Sequence, residues 1–251
     1  MRLVRFIAEG ETEVRTGEWL EDAIAETTGL FADRLHTGKR FRADKAVLQA
    51  PVAPRHIIGI MANFGSDGEK ERASGREEPQ FFLKSPDTIV GPNRPVVIPA
   101  GLDLLSFEAE LAVVIGKPTF GIEARDVEAC ILGYAIANDL TAGGYAHPGG
   151  NIAMTKVSPT LTPLGPWIET NPQFGRGTIA SFVNGEQRQR GEIGRMKHSI
   201  ARQIAYIAER MRLGPGDVLL TGAPPNAGQV RRGDEVVCEI EGLGRLTNPV
   251  E

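Results

Sequence analysis

The stretch SFEAELAVVIGKP, residues 106–118, carries two carboxylates, Glu108 and Glu110, two positions apart in an otherwise apolar run. In a strand successive side chains alternate faces, so the two glutamates project to one side, about 7 Å apart along the chain. Phe107, Ala109, Leu111, Val113 and Ile115 then take the opposite, wholly apolar face. The glutamate face is solvent, an ion-pair cluster or a cation site. Converging like charges raise a carboxyl pKa and cost stability, whereas a divalent cation removes that cost, and hard oxygen ligands suit Mg2+, Ca2+ or Mn2+ better than zinc. Asp139, at the end of the apolar run ILGYAIAND, is a third candidate ligand at a strand terminus. An Asx-type turn is its alternative use.

Three further side chains are candidates for chemistry. Lys156 is a lone lysine among apolar and hydroxyl residues in MTKVSPTLTPLGPWI. As a point charge it suits holding an anionic substrate or stabilising an enolate, with plain solvent exposure as the competing reading. The same pair of readings applies to Lys84 in FFLKSPDTIVGP. His147, in GGYAHPGGN, offers an imidazole from another loop or is a solvated loop residue.

These side chains need elements to place them. From His56 onward the chain reads as short β-branched runs broken by Gly and Pro: HIIGI, TIVG, PVVIP, LAVVIG, GYAIAND, ASFVNGE, DVLLTG and DEVVCEIEG. That texture predicts an α+β chain with a predominantly β core. Helices are expected at EARDVEACI and at HSIARQIAYIAERMRLG, where Ile200, Ile204, Ile207 and Met211 recur at helical spacing. Ahead of them, Thr16 to Gly29 places Trp19, Leu20, Ala23 and Ile24 on one helical face, predicting a helix in a small N-terminal region, residues 1–54. Residues 55–251 form the expected catalytic domain. The polar segment 65–80, GSDGEKERASGREEPQ, suits a lid over a site.

Composition narrows the function classes. With 28 Lys+Arg against 32 Asp+Glu the formal charge is −4, and no basic block invites nucleic acid. No run approaches the roughly 18 apolar residues of a membrane helix, and the N-terminus has no signal-like apolar segment, so the expectation is a cytoplasmic protein without a membrane partner. Cys130 and Cys238 sit in apolar patterns and read as core residues.

The order of FEAELAVVIGKP, GYAIANDLTA, a lysine followed by TPLGPWI, FVNGEQRQ, GPGDVLLTGAPPNAG and GDEVVCEIEGLGRLTNPV resembles the fumarylacetoacetate hydrolase family over roughly residues 55–250. The resemblance implies that family's mixed β-roll with a few peripheral helices, assembled as a homodimer. It implies a Mg2+ site, alternatively Ca2+ or Mn2+, held by Glu108, Glu110 and Asp139 with Lys156 beside it, and small-molecule substrates. It also implies substrate contacts from Gln189, Thr221, Gly222 and Lys84. In such enzymes the cation polarises a 2-oxo or β-dicarbonyl acid so that an enolate forms on C–C hydrolysis, decarboxylation or isomerisation.

The sequence departs from the family pattern in its acid–base residues. The family's NYxxH is NFGSD here, which puts Asp67 at the histidine position and Lys70 three residues on. Gly143 replaces an arginine, Pro159 an aspartate and Ala223 the threonine of TGTP. Asp67, with a reference pKa near 3.9, is a weak base at neutral pH unless desolvated. C–C bond hydrolysis is the nominal expectation that the resemblance implies, and the missing histidine makes water activation its doubtful step. A decarboxylase, tautomerase or other non-hydrolytic enolate reaction is the alternative, and a non-catalytic metal-binding member a third.

Overall fold

The short β-branched and aromatic runs suit pleated, half-buried surfaces, and most of them form strands. A computed structural model of the chain describes residues 1–65, 78–147 and 151–251. Its N-terminal part contributes β1 (Arg2–Ala8), β2 (Arg15–Leu20), β3 (Ala23–Thr27), β4 (His36–Arg42) and β5 (Ala46–Gln49). There follow β6 (Ile57–Ile60), β7 (Phe81–Lys84), β8 (Ile89–Val90), β9 (Leu104–Phe107), β10 (Ala109–Ile115) and β11 (Ile131–Asn138). A single-turn helix α1 (Ala153–Lys156) precedes β12 (Thr162–Glu169), β13 (Thr178–Val183) and β14 (Glu186–Glu192). Helix α2 (Ile200–Ala208) then leads to β15 (Val218–Leu220), β16 (Gly228–Arg231), β17 (Glu235–Ile240) and β18 (Gly244–Pro249). The predominantly β class expected from the sequence is the one observed.

A twelve-stranded sheet runs β4-β3-β2-β1-β12-β11-β10-β15-β6-β7, with β5 beside β1 and β8 beside β12. A four-stranded sheet, β14-β13-β17-β18, packs against it through Ala109, Leu111 and Ile136 on one side and Ile179, Cys238 and Ile240 on the other. Helix α2 covers the adjoining part of the large sheet, setting Ile204 and Ile207 against Ile58, Val113 and Leu219. On the reverse face Ala112 and Val114 pack with Leu3, Leu164 and Leu220. All seven residues of β10 are therefore buried. Both cysteines are free thiols, but only Cys238 is in the core; Cys130, at the end of a 3₁₀ turn, is half-buried.

The helix expected over 16–29 is a β-hairpin. Leu20 pairs with Ala23 across a two-residue loop, Glu21 takes a φ of 57°, and β2 continues the ladder on β1 from Arg2–Trp19 to Phe6–Arg15. The periodicity was ambiguous because neighbouring apolar pairs, Trp19-Leu20 and Ala23-Ile24, fit either repeat. Pairing on β1 and burial of Ile24 beside Phe6 decide it, since tertiary packing overrides a weak local propensity. EARDVEACI is likewise two 3₁₀ turns, Ala124–Asp126 and Glu128–Cys130, and no α-helix. PVVIP stays extended with one bridge, Val96 to Val250, as its prolines cannot donate to a ladder. Strand β1 also bonds to β12, through Arg2–Glu169 and Leu3–Ile168, so the first 54 residues share the large sheet.

The hairpin separates two side chains that the helix would bury together: Ile24 is 0% exposed and Leu20 is 40% exposed. Ile24→Ala should cost about 2–5 kcal/mol in denaturant unfolding. Leu20→Ala should cost at most about 1 kcal/mol. Equal losses at both positions would contradict the hairpin.

Candidate metal centre and cavity

The register of β10 on β11 brings the carboxylates together. Ala109 lies opposite Asn138 and Glu110 opposite Ala137, so the next pair outward is Glu108 with Asp139. The Asp139 N–H donates to the Glu108 carbonyl at 2.9 Å, and the Glu108 N–H donates to Asn138 Oδ1 at 3.0 Å. Residues opposite one another in an antiparallel pair share a face, as do residues two apart, so Glu108, Glu110 and Asp139 project to the same side. Ala137, the small partner of Glu110, leaves that side open. One ligand oxygen from each carboxylate lies within 4.8 Å of the others.

Two lysines hold the cluster. Lys156, at the end of α1, donates to Glu108 Oε2 at 2.9 Å and to Asp139 Oδ2 at 2.7 Å, and reaches the Asp139 carbonyl at 3.2 Å. Lys84, at the end of β7, donates to Asp139 Oδ1 at 2.5 Å and to the carbonyls of Leu161 and Leu140 at 3.0 and 3.3 Å. Burial works against the charge on each lysine. For Lys84 burial prevails and lowers its pKa, although Asp139 opposes it. For Lys156 the Asp139 and Glu108 carboxylates outweigh burial and hold the ammonium above the ordinary lysine value. Burial would raise the Asp139 carboxyl, but Lys84 and Lys156 keep it below its usual value.

Glu110 has no such partner among the described residues. Its Oε2 accepts the Gly222 N–H at 2.7 Å, while burial, Asp139 and Glu108 together push its carboxyl well above the ordinary value. With all three carboxylates ionised, the two ammonium groups leave one negative charge uncompensated, and that is the charge burial penalises at Glu110. The oxygen-only donor set and that surplus fit a hard divalent cation such as Mg2+, Mn2+ or Ca2+. Each carboxylate oxygen offers two lone pairs, so the lysine bonds to Asp139 leave acceptor capacity.

The cluster floors a cavity of about 420 Å³. Glu110, Asp139 and Lys156 are buried at its base, while Met61 and Ile152 stand more than a third exposed at its rim. Phe82, two residues before Lys84 on β7, places its ring 5.2 Å from Lys156 Nζ. Strand alternation from Lys84 was the signal that could have located Phe82; nothing in the sequence pointed to Ile152, Thr141 or the Pro224–Pro225 wall.

The remaining expected site residues are placed differently. Lys84, Gln189, Thr221 and Gly222 are not among the residues lining the cavity. They stand behind its wall. Gln189 donates to the Pro224 carbonyl at 2.5 Å and accepts from the Ala109 N–H at 3.1 Å, tying the wall to β10. Thr221 Oγ1 donates to the Leu111 carbonyl at 2.9 Å. Gly222 has φ 95°, and a Cβ there would lie 2.8 Å from the Asn63 Cβ, so glycine is required for its N–H to reach Glu110. Asn63, the first residue of NFGSD, donates to the Thr221 carbonyl at 2.7 Å. His147 is exposed beyond the turn Gly143–Tyr145 and does not line the cavity. Asp67 and most of the expected lid, residues 66–77, lie outside the described residues.

Comparison with known proteins agrees with the motif order. The family profile described as Fumarylacetoacetate (FAA) hydrolase C-terminal matches residues 56–251. The 4-hydroxyphenylacetate degradation bifunctional isomerase/decarboxylase of Escherichia coli is 38% identical over 199 residues, 77% of this chain and 46% of that protein, so the chain spans about half its length. The crystal structure of 5-carboxymethyl-2-hydroxymuconate delta-isomerase from Mycobacterium smegmatis superposes with a TM-score of 0.91 at 34% identity, covering 100% of this chain and 99% of that one. Maleylpyruvate hydrolase from Sphingobium, solved with manganese(II) and pyruvate, gives a TM-score of 0.81 at 28% identity over 100% and 98% of the two chains.

Glu110→Gln removes one ligand charge while keeping the side-chain volume and the Gly222 contact. Calorimetry should show Mn2+ affinity reduced at least about tenfold, by analogy with the loss on disturbing ligand support. The metal-free melting temperature should be equal or higher, because a buried charge is gone. Unchanged Mn2+ binding would remove Glu110 from the ligand set.

Proposed function

The chain belongs to the fumarylacetoacetate hydrolase family of enzymes, and from that membership we propose that it catalyses enolate chemistry, by isomerisation or decarboxylation, on a small 2-oxo or β-dicarbonyl acid. The observation that carries this reading is the convergence of Glu108, Glu110 and Asp139 with the Lys156 ammonium at the base of one cavity. A divalent cation, Mg2+ or Mn2+, bound by the three carboxylates would supply Lewis-acid polarisation of the substrate's oxygens.

The chain's own residues account for the rest. Lys156 lines the cavity and is held protonated by Asp139 and Glu108, which suits an electrostatic stabiliser of a developing enolate and argues against a neutral amine base. Its charge is fixed before reaction by two carboxylates, so little reorganisation accompanies charge build-up. Lys84 cannot exchange partners easily, with its side chain 0% exposed, and we assign it to orienting Asp139. Phe82 and the Pro224–Pro225 wall exclude water around the ammonium.

The replacement of NYxxH by NFGSD favours reactions that need no activated water over C–C hydrolysis. The isomerase and isomerase/decarboxylase names of two relatives support the same reading. A homodimer is part of the proposal, on family grounds alone.

The reaction class is testable with protein and Mg2+ mixed with oxaloacetate, an acylpyruvate and a β-diketone while enol absorbance and CO2 release are followed. Enol loss, with or without CO2, and no hydrolytic split of the acylpyruvate or β-diketone is the expected result; stoichiometric release of pyruvate and a carboxylic acid from the acylpyruvate would make the enzyme a hydrolase. On the substrate turned over, Lys156→Met should lower kcat by about 10²-fold or more. Asp67→Asn should change it by less than about tenfold. The reverse order would make Asp67 the base.

A further inference from the structure

The cavity is charged at its base and apolar above it. Its described charged lining groups are Glu108, Glu110, Asp139 and Lys156, and Lys156 is already bonded to two of the carboxylates. The wall from base to rim consists of Ile60, Phe82, Met61, Ile152, Pro224 and Pro225. Thr141 and Asn226 add neutral polar groups. A ligand whose 2-oxo acid end sits at the base therefore lays its remainder along alkyl, proline and phenyl surface. A second carboxylate on that remainder meets no described cation in the cavity, and desolvating it without a partner opposes binding. An alkyl end instead gains from covering Phe82, Ile152 and Met61.

From this division we infer that the site selects enolisable 2-oxo acids with a single carboxylate and an uncharged, largely apolar remainder, and discriminates against dicarboxylates of the same length. The inference rests on the proposed function, narrows it to isomerisation, since CO2 loss through a metal-bound enolate needs a second carboxylate β to the 2-oxo group, and adds its substrate class. It sets this chain apart from a relative whose name denotes a carboxymethyl-substituted muconate, since that name implies more than one carboxylate. The volume of about 420 Å³ lies within the usual range of small-molecule sites, roughly 300–1,000 Å³, and accommodates an alkyl tail of several carbons.

The test compares 2-oxohexanoate with 2-oxohexanedioate, which differ only in a terminal methyl against a terminal carboxylate. Deuterium uptake at C3 in D2O with Mg2+ is followed by NMR: a C3–H bond breaks, its electron pair enters the enolate, the proton goes to solvent and a deuteron returns. Oxalate binding in the presence of Mg2+, measured by calorimetry, reports separately on the base of the cavity. We expect oxalate to bind and the monoacid to exchange with a kcat/KM at least about tenfold above that of the diacid. Ile152→Lys and Met61→Lys, at exposed rim positions, should each reduce or invert that ratio by giving the second carboxylate a partner. Oxalate binding with equal or faster exchange of the diacid, or with no exchange of either acid, overturns the substrate class and leaves the cation site standing. A ratio unmoved by both lysine substitutions also overturns it. Absence of both oxalate binding and exchange removes the functional reading itself, and this inference with it.

Discussion

Asp139 is shared by two buried ammonium groups, Lys84 on one carboxylate oxygen and Lys156 on the other, and the candidate site is built around that shared anion. The lysines lie 55 positions before it and 17 after it in sequence, on β7 and α1. Their bonds tie the edge strand of the large sheet and the single-turn helix to the end of β11. Taking Lys84, Glu110, Asp139 and Lys156 out of water is expensive, and apolar replacements of equal volume commonly match or exceed the stability of such clusters. A stability argument therefore does not explain the cluster, whereas the proposed cation site would.

The strand ladders supply the precision. Because β10 is buried on both faces and fixed in register on β11, a one-residue slip of β10 would carry Glu108 and Glu110 to the opposite face, away from Asp139 and into the packing against the four-stranded sheet. On the other side of β10, pairing with β15 brings Gly222 beside Glu110, and Asn63 and Gln189 brace the turn that follows. Gln189, Thr221 and Gly222, which motif comparison grouped as substrate contacts, bond in this structure to backbone groups and to the Glu110 carboxylate.

How much of this was legible in the sequence depends on the range of the interaction. The paired glutamates were legible because strand alternation is local, and Asp139 because it ends an apolar run. Helix α2 was legible from Ile200, Ile204 and Ile207 at a spacing that strands do not produce. The segment 16–29 was misread because its apolar residues come in adjacent pairs, and only pairing with β1, a non-local event, chose the hairpin. Lys84 as the second cation on Asp139 was hidden for the same reason: its distance from Asp139 is set by the order β7-β6-β15-β10-β11 across the sheet. Most of the cavity wall was hidden too, since Met61, Ile152, Pro224 and Pro225 come from loops whose convergence no local pattern encodes.

Anomalous diffraction from crystals grown with Mn2+ tests the central claim most directly. A single strong peak with an oxygen of Glu108, of Glu110 and of Asp139 each within about 2.0–2.6 Å is the result that the charge surplus and the shared face require. A site that remains without a peak at saturating Mn2+, or a cation held by other residues, would contradict the account.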